Sequence, residues 1–287
     1  VPPSVPAPHP PRAGHGYVER RPVPALAGLV SSAWTQRIAS DAAPYAHRSI
    51  PTGGVELRCR LGSVPQLVGP LTRARIEPLA PGSTVVGLRF PPGVAAAVLG
   101  VPASELVDLV VDADMLWGPE AATAGARMAE AASPGRAGAI LRGLVAGRLA
   151  DAERPDPVVA EAVRRLMPWC AEDVAGVRSS LAVSERSLRR QCRAAIGVGP
   201  KALQRILRFQ GLLARAQYAV SRGRPAAGDG LALLAAASGY ADQAHLTREC
   251  VRLTGVTPRV FLRETEQACS HGHDHEASYA PLLRRPA

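Results

Sequence analysis

Residues 184–200 and 242–258 write one pattern twice, at an offset of 58 residues. Leu188 aligns with Leu246, Arg190 with Arg248 and Cys192 with Cys250. The register continues through Gly197 on Gly255, Val198 on Val256 and Pro200 on Pro258. Each copy opens on a residue suited to cap a helix (Ser184, Asp242), runs through a basic helical stretch, stops at glycine and starts the next helix with proline. A short basic helix that occurs twice, each time after another short helix and a turn, is the pattern of two helix-turn-helix units. This repeat therefore implies a helical DNA-binding domain.

Charge supports the same half of the chain. Residues 155–265 carry 17 Arg or Lys against 9 Asp or Glu, whereas residues 1–154 carry 15 against 12 and residues 266–287 carry 2 against 3. Positive charge gathers where the repeat lies, as a polyanion partner requires. Five cysteines stand apart without a Cys-x-x-Cys pair, which argues against a disulfide framework and a zinc finger and favours a reducing, cytoplasmic, nucleoid-associated setting. No apolar run is long enough for a membrane-spanning helix, so no membrane partner is expected. The proline-rich start lacks the basic-then-apolar order of a secretory signal, and 1–16 reads as a disordered leader.

Residues 17–150 have a different texture, that of a sensing or dimerisation domain. Val55–Leu61 alternates apolar and polar residues like a half-buried strand, and Val85–Phe90 is a second strand candidate. Turns such as Pro51-Thr-Gly-Gly54 and Pro81-Gly-Ser83 punctuate them. Short helices are expected at Val94–Leu99 and Ser104–Val111. A longer one runs from a Ser133 cap to Ala150, with Ile140, Leu144 and Val145 near one face. Its apolar face suggests a homodimer contact.

Residues 151–156 form the expected linker, and 157–265 read as helix throughout. The spacing predicts helices at Pro157–Met167, Glu172–Ser180, Glu185–Ile196, Leu231–Ser238, Gln243–Thr254 and Pro258–Glu264. A long helix from Pro200 to about Tyr218 bridges the two repeats. Its Gly211 costs about 1 kcal/mol relative to alanine, so a packing reason is expected. Residues 266–287 read as a flexible, histidine-containing tail. The fold class is thus α+β: a β-rich domain with helices, then an all-α domain of two helix-turn-helix units joined by a long helix.

Across about 155–265 the chain resembles the AraC/XylS family of bacterial transcription regulators. The stretch from Ser238-Gly-Tyr to Gly255-Val-Thr-Pro258 matches the family's most diagnostic segment nearly throughout. Two departures stand out: the family mostly has an aromatic residue where Cys192 and Cys250 lie, and glycine is common at Ala182. The first implies a lighter core. Pro51-Thr-Gly-Gly54, Val86-Gly-Leu-Arg-Phe-Pro-Pro-Gly93 and Leu116-Trp-Gly118 are similar to the front half of one subgroup. In the wider family that half is often a cupin-like barrel that binds a small effector and helps dimerisation.

Leu188, Cys192 and Ile196 fall at core spacing, which leaves Arg186, Arg189, Arg190 and Arg193 on other faces. The family pattern places Arg186, Arg189 and Arg190 at the groove, where a guanidinium fork suits guanine. In the second unit Gln243, Ala244, Thr247 and Arg248 are the equivalents, with His245 alongside. Ser184, Arg193, Lys201, Arg252 and Thr257 are candidates to hold phosphates; each reads equally as a cap or a surface charge. Trp34, Tyr45, Phe90 and Trp117 are candidates for an effector cavity or for core packing. No cofactor or resident metal is expected. His271, His273 and His275 are weak metal candidates, which leaves a metal-responsive regulator as one alternative. An enzyme fused to a DNA-binding module is another, weakened because only Cys59 precedes residue 155. The reading is a non-enzymatic, sequence-specific regulator of double-stranded DNA, with a small effector and RNA polymerase as further partners.

Overall fold

The computed structural model describes residues 15–42, 45–150, 155–170, 172–270 and 273–283. Among the described residues, the N-terminal half has eight strands: β1 (His15–Arg20), β2 (Ser32–Ile38), β3 (Tyr45–Ser49), β4 (Glu56–Arg60), β5 (Gln66–Val68), β6 (Arg75–Leu79), β7 (Thr84–Arg89) and β8 (Val110–Asp112). Six of them make an antiparallel sheet in the order β1-β2-β7-β4-β5-β8, and β3 pairs with β6 separately. An ion pair from Arg58 on β4 to Glu77 on β6, at 2.5 Å, ties the two sheets. Helices α1 (Ala95–Leu99), α2 (Asp114–Trp117), α3 (Pro119–Ala129) and α4 (Pro134–Ala150) close this half.

The two strands read from the sequence are present as β4 and β7. Several other expectations need correction. The leader was drawn to residue 16, but β1 begins at His15 and pairs with β2; residues 1–14 lie outside the described residues. In place of a helix over 104–111 there is a 3-10 turn at Ala103–Leu106, followed by β8. That strand gives β5 a hydrogen-bonding partner, Leu67 facing Val111. In α4, Ser133 caps as expected, accepting from Arg136 N at 3.2 Å. Its core face, however, is Ala137, Leu141 and Val145, all fully buried, with Ile140 and Leu144 half-buried beside them against the same core. The apolar face that suggested a dimer contact is therefore largely used within the chain.

The C-terminal half is helical: α5 (Pro157–Leu166), α6 (Val174–Leu181), α7 (Glu185–Ile196), α8 (Pro200–Ser221), α9 (Leu231–Ala237), α10 (Gln243–Thr254), α11 (Pro258–Ser270) and α12 (Glu276–Leu283). Residues 151–154 of the expected linker lie outside the described residues; Asp156 caps α5 by accepting from Val158 N at 2.8 Å. The 22 residues of α8 give a strut of roughly 33 Å. Gly211 has the packing reason expected of it, because a Cβ there would lie 2.7 Å from Pro168. Each half has its own core, one around Leu57, Leu88 and Phe90 and one around Leu188, Leu203 and Phe209.

Residues 273–283 of the tail pack on the rest of the chain, and Glu276–Leu283 is helical. Asp274 N donates to Tyr17 O at 3.0 Å, and Glu19 N donates to Asp274 O at 3.1 Å, so the segment runs along β1. Beyond it α12 packs on α8, where Trp169 Nε1 donates to Pro281 O at 3.2 Å. Backbone groups on β1 and the Ser278–Glu19 pair add to the packing of α12 on α8 in holding this segment.

Candidate nucleic-acid interface

The first unit is α6, a three-residue turn and α7. Ala182 turns the chain in the left-handed region at φ 50°, and Ser184 Oγ accepts from Ser187 N at 3.1 Å to cap α7. Leu188, Cys192 and Ile196 are buried, which rotates Arg186, Arg189, Arg190 and Arg193 outward, and all four are exposed. Among the described residues no ion pair engages these four guanidiniums. The Ser184 hydroxyl is thus engaged as the cap of α7. Lys201 is exposed one residue into α8, close in sequence to the end of α7.

The second unit repeats this with α9 and α10. Gly239 makes the turn at φ 74°, and Asp242 Oδ1 accepts from His245 N at 2.6 Å. Leu246, Cys250 and Leu253 are buried, and Gln243, Ala244, Arg248, Arg252 and Thr257 are exposed. Thr247 is half-buried, and its hydroxyl donates to Gln243 O at 2.9 Å within its own helix. Arg252 stands 3.8 Å from Glu249, which also faces Arg205 of α8 at 3.5 Å. His245 packs edge-on against Tyr240 and accepts from Ala241 N through Nδ1, so it serves the turn. The cysteines in place of aromatics are buried in the core, and burial pushes the Cys192 and Cys250 thiols up to about 11. That is the environment of an inert thiol rather than a redox switch.

The N-terminal half packs on α7, α8 and α11. The Pro51-Thr-Gly-Gly54 turn docks on α8: Gln210 Nε2 donates to Pro51 O at 2.7 Å, and a Cβ on Gly53 would lie 2.9 Å from Leu203. Gly197, at the end of α7 with φ 89°, has room for no Cβ because Pro70 would be 2.7 Å away and the Ala103 carbonyl 3.0 Å. Arg48 of β3 and Glu264 of α11 pair at 2.5 Å and are mostly buried. Of the glycine-bearing turns noted in the sequence, Pro51-Thr-Gly-Gly54 is thus a contact point between the halves, whereas Gly82 of Pro81-Gly-Ser83 packs near Ser40 within the N-terminal half.

A cavity of about 340 Å³ opens at this junction. Of the four effector candidates, Tyr45 and Phe90 line it. Trp34 instead stacks on Tyr17 across Gly87, where a Cβ would lie 2.3 Å from the indole. Trp117 packs in the N-terminal core, with the Arg148 guanidinium 6.0 Å from its ring. Sequence reasoning missed the inward residues of β1. Tyr17 Oη donates to Glu19 at 2.6 Å, and Arg89 donates to Glu19 at 2.8 Å and to Tyr17 at 3.2 Å. Ser278 donates to Glu19 through N at 3.0 Å and through Oγ. Burial opposes ionisation of Glu19, but Arg89, His275 and Ser278 hold its carboxyl well below the usual range. The only signal for these residues was the i, i+2 spacing of His15, Tyr17 and Glu19.

His273 and His275 pack their rings against Tyr17, at 5.7 and 4.8 Å between centroids. Among the described residues no group of three or more His, Cys, Asp or Glu is arranged to hold a metal ion; His271 lies outside them. No helix among the described residues is long and apolar enough to cross a membrane.

Residues 179–264 match a family described as a helix-turn-helix domain, and residues 18–112 match a domain of unknown function. Among solved structures, the chain is similar to apo ToxT carrying a substitution, from Vibrio cholerae strain SCE256, at 11% identity and a TM-score of 0.43, covering 86% of this chain and 100% of that one. It is also similar to ToxT from Vibrio cholerae O395, at 11% identity and a TM-score of 0.41, covering 80% and 96%. No curated protein matches the chain.

Proposed function

We infer that this chain is a DNA-binding transcription regulator of the AraC type whose two units read two successive major grooves, a reading supported by the match of residues 179–264 to a helix-turn-helix domain. The observation that supports this reading most directly is that α7 and α10, on either side of α8, both turn their core residues inward and their polar N-terminal halves outward. Arg186, Arg189 and Arg190 read bases in the first half-site, where a guanidinium pairs with guanine O6 and N7. Gln243, Ala244, Thr247 and Arg248 read the second. Arg193, Lys201, Arg252 and Thr257, with the amides at the Ser184 cap, hold phosphates. A small effector acting on the N-terminal half sets the grip, because that half touches α7, α8 and α11. RNA polymerase and a second copy of the chain are the further partners of this reading.

Footprinting of the full chain on its operator tests the assignment. Each bound chain should protect two blocks whose centres lie about 10 base pairs apart on one face of the duplex. A single block per chain would mean that only one unit docks, with the other serving as a brace.

A further inference from the structure

We propose that the cavity between the halves binds an uncharged, mainly apolar organic molecule that carries hydrogen-bonding groups. Its size, about 340 Å³, falls at the lower end of small-molecule sites and suits a ligand of roughly fifteen to twenty non-hydrogen atoms. The lining is largely apolar and comes from both halves: Ile50 and Phe90 on one side, Leu207 and Leu213 of α8 and Phe261 of α11 on the other.

Charge decides the class. Arg89 pairs with Glu19 at 2.8 Å and faces Glu56 at 3.5 Å, and Arg48 pairs with Glu264 at 2.5 Å. Each charged Arg or Glu side chain that lines the cavity (Arg48, Arg89, Glu19, Glu56 and Glu264) is thus already in an ion pair with another of the lining. His275 sits beside Glu19 at 3.7 Å, and burial keeps His47 and His273 neutral near pH 7 by lowering both to about 4. Among the described residues, none of these five stands without a partner of opposite charge to offer a ligand. A charged guest would lose its hydration without gaining a partner, or would break an existing pair and strand its remaining member. Neutral groups on the wall can both donate and accept; Tyr45, His47, Thr52 and Gln217 are such residues. An occupant would touch the strut between the two units and the helix that follows the second recognition helix. The regulatory consequence rests on the effector reading above; the binding itself does not.

The full chain is titrated with Prodan, an uncharged naphthyl ketone whose emission shifts to the blue in apolar surroundings. A saturable shift at one molecule per chain is expected. 2-Naphthylmethanol should displace the probe at least about tenfold more effectively than 6-dimethylamino-2-naphthoate or 2-naphthylmethylammonium. Ala268→Trp, which fills the cavity from α11, should remove the shift. Thr265→Phe serves the same purpose if that variant does not fold, with circular dichroism checking each. Absence of a saturable shift, equal displacement by either charged competitor, or an unchanged shift in a folded filled variant would overturn the proposal. DNA affinity measured with and without saturating Prodan is read separately. No change there would overturn effector control and leave the ligand site standing.

Discussion

The two recognition helices share a backbone and differ in what they hold out. Both are twelve-residue helices with a side-chain cap, a left-handed glycine stop and a cysteine in the core. On α7 four arginines stand exposed without an ion pair among the described residues, whereas on α10 part of the polar set is spent on the protein itself. Thr247 bonds its own helix, Arg252 faces Glu249, and His245 supports the turn. The supports differ too, since α7 ends directly against Pro70 and Ala103, while the N-terminal half pairs its Arg48 with Glu264 of α11, the helix that follows α10. One sequence pattern thus gives the same scaffold twice, and the residues between the pattern positions set how strongly each copy can grip.

The largest effect should come from the first unit. Arg186→Ala or Arg189→Ala should each weaken cognate binding by about 1–3 kcal/mol and relax preference at one base position. Equal losses on cognate and random DNA in a binding titration would remove the base-reading assignment. In the second unit, Gln243→Ala combined with Arg248→Ala should cost less, about 1–2 kcal/mol, and relax base preference in the second half-site. A loss as large as that in the first unit would erase the asymmetry. The smallest effects lie in the turns. Ala182 occupies the left-handed region at φ 50°, where Gly239 stands at φ 74° in the other unit. Ala182→Gly should raise stability by up to about 1 kcal/mol, and Gly239→Ala should lower it by about as much. Chemical denaturation measures both, and shifts of the same sign would show that the two turns are not equivalent.

The candidate DNA face was legible because its signals are local. Ser184 and Asp242 announce helix starts, Gly197 and Gly255 announce stops, and the spacing of Leu188, Cys192 and Ile196 fixes which side is buried. The extent of α11 was less legible, since nothing between Thr265 and Ser270 marks an end. On β1 and β2 of the N-terminal half the rule that only apolar residues face inward fails. On β1 the inward residues are His15, Tyr17 and Glu19, and on β2 they include Ser32 and Gln36. No apolar alternation exists there to be read.

The sequence by itself determined two helix-turn-helix units, the strut between them and the arginines that the first unit presents, because caps, stops and helical periodicity act over a few residues. Tertiary structure alone decided that the halves meet in a cavity, that Tyr45 and Phe90 line it while Trp34 and Trp117 do not, and that the tail is a strap across β1 and α8. Those outcomes depend on partners far apart in the chain. Glu19 can be buried only because Arg89 and Ser278 arrive to neutralise and hydrogen-bond it, and nothing local to residue 19 announces either.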